Sequence, residues 1–204
     1  MPDMQEPDLP RAVTFFDTQN FYRMTKAIFP GITHPNFDPV KLSNLVCKKK
    51  GWQLCETRLY TGVPDKKTNV FWNAFWNNKI SALKRSGVIC YTRPLVNHKT
   101  TRKLPDGTEE TITVPAEKGI DVRIALDIIS MANKNLYDVA ILFSQDQDLS
   151  EVAKEIRSVA KYQNRWIKIA SAYTNTKVYG IKGTDWITIS YEEYASCIDP
   201  HNYR

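Results

Sequence analysis

Short apolar runs alternate with segments of helical periodicity along most of this chain. Ala12 to Phe16 has the length and composition of a buried strand, and Asn20 to Phe29 reads as a helix ended by Pro30-Gly31. After a loop over Ile32 to Phe37, Asp38-Pro39 supplies an N-cap followed by proline, which predicts a helix to about Lys50 closed by Gly51. Trp52 to Tyr60 alternates and is rich in aromatic and branched residues, so it reads as a second strand. Thr68 to Ser86 is helical, with Phe71 and Phe75, and Trp72 and Trp76, at i, i+4 spacing; that stripe is expected to pack into the core. Val88 to Tyr91 is the third strand, Gly119 to about Lys134 a helix, and Tyr137 to Phe143 a fourth strand, apolar throughout as a central parallel strand should be. Leu149 to Tyr162 returns to helix and Trp166 to Ala172 to strand. A short strand, Trp186 to Ile189, and a helix, Tyr191 to Cys197, close the series.

The alternation breaks once. Arg93 to Val114 is polar and basic on both sides of Asp106-Gly107, a pair that favours a tight turn, so an exposed β-hairpin is expected there, inserted before the next helix. Strand and helix in this order imply right-handed crossovers. The expected fold class is α/β: a mostly parallel central sheet with helices on both faces and an inserted hairpin. The domain boundaries that follow are a tail over 1–11, one domain over 12–199 containing the hairpin at 93–114, and a second tail over 200–204.

Composition narrows the partners more than the fold. The chain has 204 residues, enough for one sizeable core, and a formal net charge of +6, which favours polyanions. The acidic, proline-containing start, Met1 to Asp8, lacks the apolar stretch of a signal peptide, and no later run approaches a membrane span. Cys47, Cys55, Cys90 and Cys197 are too widely separated for a zinc site or a secreted disulfide frame. They are expected to be reduced packing residues of a cytoplasmic protein. His34, His98 and His201 fall in expected loops with no partner at catalytic spacing.

The chemistry lies in four aspartates at junctions of strand and helix. Asp17 and Asp146 each end or follow an apolar strand, Asp148 lies two residues further on, and Asp121 opens a helix. In open parallel sheets the carboxyl ends of strands line the ligand crevice. Carboxylates gathered there without histidine or cysteine suit a hard cation, Mg²⁺ or Mn²⁺. Such a cation can activate water for attack on a phosphodiester without a covalent nucleophile. Each acid also has a structural role open to it: Asp17 as a helix cap, Asp148 with Glu151 as a capping box, and Asp121 in a first turn. Asn20, one turn past Asp17, is placed to orient water or phosphate, whereas Asp127 falls on another face of its helix from Asp121.

Three segments carry a family resemblance: Asp17-Thr18-Gln19-Asn20, Lys118-Gly119-Ile120-Asp121-Val122 and Ser144-Gln145-Asp146-Gln147-Asp148. They resemble the signature segments of NYN domains, the PIN-like nucleases that include the LabA/DUF88 proteins. Gly183 to Ile187 and Cys197-Ile198-Asp199 are similar to that family's C-terminal portion, so the resemblance spans about 12–199. It implies a PIN-like Rossmannoid fold and Mg²⁺- or Mn²⁺-dependent cleavage of RNA. Acidic ligands map onto Asp17, Asp121, Asp146 and Asp148, with Asn20, Lys118 and Ser144 at supporting positions. The chain departs from the pattern at Gln145, where many members have glycine.

Lys48 to Lys50, Lys66, Lys67, Lys84, Arg85, Lys99, Arg102 and Lys103 give basic segments able to neutralise phosphates, with Lys66, Lys67, Arg102 and Lys103 the expected substrate contacts and the hairpin the preferred clamp. The expected partner is RNA with single-stranded portions, on whose unpaired bases Trp72 and Trp76 could stack, although core packing is the commoner role of their spacing; no membrane is expected, and a homo-oligomer is an option. The leading expectation is a metal-dependent ribonuclease. Its rival is a catalytically silent RNA-binding or adaptor module on the same fold, and the full set of four acids favours the enzyme.

Overall fold

In the computed structural model, residues 4–29, 31–32, 36–104, 107–116, 118–174 and 179–203 are described, with the backbone alone for 97–99 and 112–115. Six strands form one sheet: β1 (Arg11–Asp17), β2 (Gln53–Val63), β3 (Ile89–Pro94), β6 (Val139–Phe143), β7 (Lys168–Tyr173) and β8 (Asp185–Thr188). Their order is β3-β2-β1-β6-β7-β8, and every neighbouring pair is parallel. The helices are α1 (Thr18–Ile28), α2 (Pro39–Lys50), α3 (Val70–Arg85), α4 (Ile120–Asn133), α5 (Ser150–Tyr162) and α6 (Tyr191–Ala195). A separate antiparallel pair, β4 (Val96–Lys103) and β5 (Glu109–Ala116), is the inserted hairpin. Gly107 in its connection has φ +84°, as a tight turn requires, whereas Asp106 lies outside the described residues.

Side-chain alternation along β1 divides the core between the two sheet faces. Ala12 and Phe16 join the apolar sides of α1, α2 and α6, with Phe21, Leu42, Val46 and Tyr194. Val13 and Phe15 join α4 and α5, with Ile124, Ile128, Val152 and Ile156. Every residue of β6 is buried, and Phe143 stacks on its register partner Phe16 with ring centroids 3.9 Å apart.

Element ends differ from the sequence expectations where pairing extends them. Thr61, Gly62 and Val63 continue β2 beyond Tyr60 because they find partners in Thr92, Arg93 and Pro94. The second face of α3 is a larger departure: Phe71 is exposed and Trp72, Phe75 and Trp76 are only half-buried, so only the later turns, with Ile80 and Leu83, reach the core. The apolar spacing runs through the whole helix, but burial begins only at Lys79 and Ile80. The C-terminal tail also has fixed contacts, since Tyr203 donates to Asp199 at 2.8 Å and its ring meets Phe75 edge-on.

Between β1 and β6 the chain's order of travel reverses: β2 and β3 are added on one side of β1, and β7 and β8 beyond β6 on the other. Connections diverge at such a point and leave a crevice at the carboxyl edge. Asp17 ends β1 there, and Asp146 follows β6.

Candidate active site

Asp17 is the last residue of β1 and the N-cap of α1. One of its carboxylate oxygens accepts the Asn20 amide at 3.2 Å and the other accepts the Ser144 hydroxyl at 3.3 Å. Ser144, fully buried, accepts in turn from the Asp146 amide at 3.1 Å. The side-chain oxygen of Asn20 accepts the Gln145 amide at 2.9 Å. Residues on either side of the switch point are thereby tied together, and the loop after β6 takes its position from α1. Asn20 acts as that tie, a role its spacing from Asp17 did not suggest.

Asp146 caps a single 3-10 turn, Gln147–Leu149, its carboxylate accepting the Asp148 amide at 3.0 Å. Asp121 lies in the first turn of α4, where the free amides and the helix dipole favour an acid. Gly119 makes that start possible: its φ is +71°, and a Cβ on it would stand 2.8 Å from the Arg93 guanidinium. Arg93 donates to the Lys118 carbonyl at 3.2 Å, so Lys118 contributes its backbone to the joint while its side chain is exposed.

An open pocket of about 320 Å³ is lined by Asp17, Asp121 and Asp146 together with Gln19, Asn20 and Arg23. Burial pushes the Asp17 carboxyl up to about 6 from its ordinary 3.8, and the charges of Asp146 and Asp121 push the same way against the Asn20 amide and the Ser144 hydroxyl. A carboxylate held under like charges and largely removed from water favours a cation beside it, and an all-oxygen donor set matches Mg²⁺ or Mn²⁺. Among the described residues no three acidic, imidazole or thiol groups converge as a ready-made metal cage.

Asp148 is not in this pocket. The 3-10 turn carries it to an adjoining groove between α4 and α5, where it lies with Glu151, Glu155 and the outer side of Asp121. Asp127 is a structural acid, buried and bonded to Tyr60 at 2.8 Å, Arg123 at 2.7 Å and Arg58 at 3.1 Å.

The basic contacts divide. Lys66 and Lys67 are exposed just past the carboxyl end of β2, on the same sheet edge as the acids. Arg102 and Lys103 are exposed on the hairpin, in register with Glu110 and Glu109 on the facing strand. The side chain of Lys99 lies outside the described residues, as does His34. His98 sits in β4 rather than in a loop, and His201 has a partner, its Nδ1 2.8 Å from Asp199.

Arg23 was missed by sequence reasoning. It is the basic group in the wall of the acidic pocket, steadied by Gln19 at 3.2 Å. Its signal was the i, i+3 spacing from Asn20, which places both on one side of α1.

The pocket's size does not single it out, for a cavity of about 700 Å³ lies between α2, α3 and the C-terminal tail, remote from the conjunction of acids. The family model for the NYN domain matches residues 11–177. No curated protein matches the chain. A solved structure of a protein of unknown function from Vibrio parahaemolyticus is similar over 94% of this chain and 98% of that one, with TM-score 0.56 and 19% identity, which shows a common fold. MurG of Acinetobacter baumannii aligns over 82% of this chain and 36% of its own at TM-score 0.31 and 12% identity, too slight a likeness to carry an argument.

Proposed function

The chain belongs to the NYN domain family, within the PIN-like nuclease superfamily, and on that premise we propose that it is a metal-dependent ribonuclease. One observation carries the reading: Asp17, Asp121 and Asp146, which arrive from three distant parts of the sequence, line one pocket at the sheet's switch point.

Asp17, Asp121 and Asp146 are the residues that would hold the cation. Mg²⁺ characteristically binds through one or two carboxylates with water and substrate phosphate completing its shell, so a preassembled protein cage is not required. When bound, the ion supplies Lewis-acid activation of water and neutralises charge on a phosphodiester. The chain's own residues do the rest. Ser144 and Asn20 hold the Asp17 carboxylate and the Asp146 loop in fixed relation. Arg23, in the wall of the same pocket, would meet a substrate phosphate, and Lys66 and Lys67 extend the positive charge along the same edge. Asp148, outside the pocket, bears on the site through the hydrogen bond its backbone N–H donates to the Asp146 carboxylate and through its nearness to Asp121.

All four cysteines are free, which suits the reducing cytoplasm proposed as its location. Among the described residues no helix is long and apolar enough to cross a membrane. The test of function is incubation of the purified chain with single-stranded and hairpin RNA in Mn²⁺, Mg²⁺ or chelator. Cleavage in metal and none in chelator is expected; binding without cleavage in either metal would point instead to a silent RNA-binding module.

A further inference from the structure

Three depressions run end to end beside the carboxyl edge of the sheet. The acidic pocket shares Gln19 and Arg23 with a second depression of about 290 Å³, whose other walls include Tyr22, Trp72 and Trp76. Those three residues also line a third, of about 460 Å³, which reaches the buried Phe37 and Lys79 and ends at the C-terminal tail. The result is one trough, acidic at one end, aromatic through its middle and closed by the Lys79–Asp199 pair at the other, with the cation of Arg23 where acids meet aromatics.

The aromatic side of the trough is built rigidly although it is half open. Along α3, Phe71 meets Trp72, Trp72 meets Phe75 and Phe75 meets Trp76, with centroids 5.2, 5.2 and 5.6 Å apart and planes inclined at 84°, 76° and 88°. Phe75 is held from behind by Tyr203, edge-on at 5.7 Å. Edge-to-face contacts hold the rings in fixed relation while Trp72 and Trp76 stay half-exposed, which leaves part of each indole open to a flat ligand. A cluster of large half-exposed aromatics on one helix marks a binding surface more often than an accident of packing.

We infer that this trough is a stacking platform for unpaired bases of RNA. A single strand whose phosphodiester lies at Asp17 and Asp146 lays its flanking bases on Trp76, Trp72 and Tyr22, with Arg23 on the intervening phosphate. Two features select this occupant: the trough is continuous with the acidic pocket, and Arg23 stands where aromatic wall gives way to acids, whereas Lys79 at the far end is buried and paired with Asp199. A duplex has no free base faces to offer, so the platform makes the substrate single-stranded at the cut. The inference rests on the ribonuclease reading for the identity of the ligand, but its binding energy is separate from cleavage.

Binding of a short single-stranded oligoribonucleotide to the full chain is measured in chelator by anisotropy and by quenching of tryptophan fluorescence. A duplex of equal length and an abasic strand serve as comparisons, with Trp72→Leu, Trp76→Leu and Trp76→Phe as variants and melting temperature as the check on folding. Each leucine variant is expected to weaken single-strand binding by roughly ten-fold, with Trp76→Phe retaining most of the affinity, and duplex and abasic binding barely changed. Folded leucine variants that bind the single strand as tightly as wild type overturn the platform, as does a wild type that binds abasic and normal strands alike, a result left for a trough that takes a protein segment. The two readings separate cleanly. Tryptophan-dependent binding by a wild type that cleaves nothing in Mn²⁺ upholds the platform and sinks the nuclease, whereas cleavage with unaltered affinity in the leucine variants does the reverse.

Discussion

The Ser144 hydroxyl reaches the Asp17 carboxylate at 3.3 Å across 127 residues of sequence, in the fully buried seam between the first strand of the chain and the central strand β6. Through the Asp146 amide, 3.1 Å from the same hydroxyl, one side chain sets two of the proposed ligands relative to each other.

Ser144→Ala should therefore uncouple the pair. The partly buried Asp146 amide loses its acceptor, at an expected cost of about 1 kcal/mol. The Asp17 carboxyl also loses a hydrogen bond that lowers its pKa, so it should titrate higher still. Urea denaturation reads the first effect, and carboxyl titration of the metal-free protein by NMR reads the second.

Asp17 predicts a pH dependence of stability with a definite sign. Its folded pKa of about 6 lies above the ordinary 3.8, so folding takes up a proton between those values and the metal-free protein loses stability as pH rises through that window. Below about pH 4 the carboxyl is protonated folded or unfolded and the penalty vanishes. Asp17→Asn, which keeps a capping oxygen, should thus be more stable than wild type at pH 7 in chelator, by at most about 3 kcal/mol, and equal to it near pH 4. Added Mn²⁺ should stabilise the wild type and not the variant. A variant less stable than wild type at both pH values would show that Asp17 is a structural cap and nothing more.

Gly119→Ala tests the start of α4. With φ at +71° and the Arg93 guanidinium 2.8 Å from the added methyl, the expected cost is about 1–2 kcal/mol, since left-handed backbone penalises any Cβ. Displacement of the first turn, which carries Asp121, should also lower metal-dependent cleavage; thermal melting beside an RNA cleavage assay checks both.

Asp199 and Lys79 form a buried pair 3.7 Å apart beneath the aromatic trough. Burial holds the Lys79 ammonium down at about 8, against the opposing pull of Asp199 and Asp38. Removing the partner in Asp199→Leu leaves an uncompensated buried charge, at an expected cost of about 3–5 kcal/mol, much of it recovered when Lys79→Met is added. A double-mutant cycle by chemical denaturation measures the difference.

Much of this was legible in the sequence because backbone periodicity is a local property. β1, β6 and the helices after them announce themselves in runs of Val, Ile, Phe and Ala, and the chain reversal that brings Asp17 near Asp146 follows from alternating strand and helix. Spacing alone could not show which way each acid turns. The 3-10 turn after Asp146, too short to have a periodicity, sends Asp148 into the neighbouring groove. Nor could a periodic stripe say how far burial extends: Trp72 and Trp76 share it with Ile80, yet of the three only Ile80 is buried. The facing of Arg102 and Glu110 across the hairpin depends on strand register, which no run of residues displays.

The central claim, that the acids at the switch point serve chemistry rather than folding, is tested most directly by one assay on Asp146→Asn beside the wild type. Cleavage of single-stranded RNA is followed in Mn²⁺ while affinity for the same RNA is measured in chelator. The account predicts a loss of cleavage of about 100-fold or more, equivalent to about 3 kcal/mol of transition-state stabilisation, with affinity nearly unchanged because contacts to phosphate and bases supply the binding. Cleavage at the wild-type rate by the folded variant would contradict it.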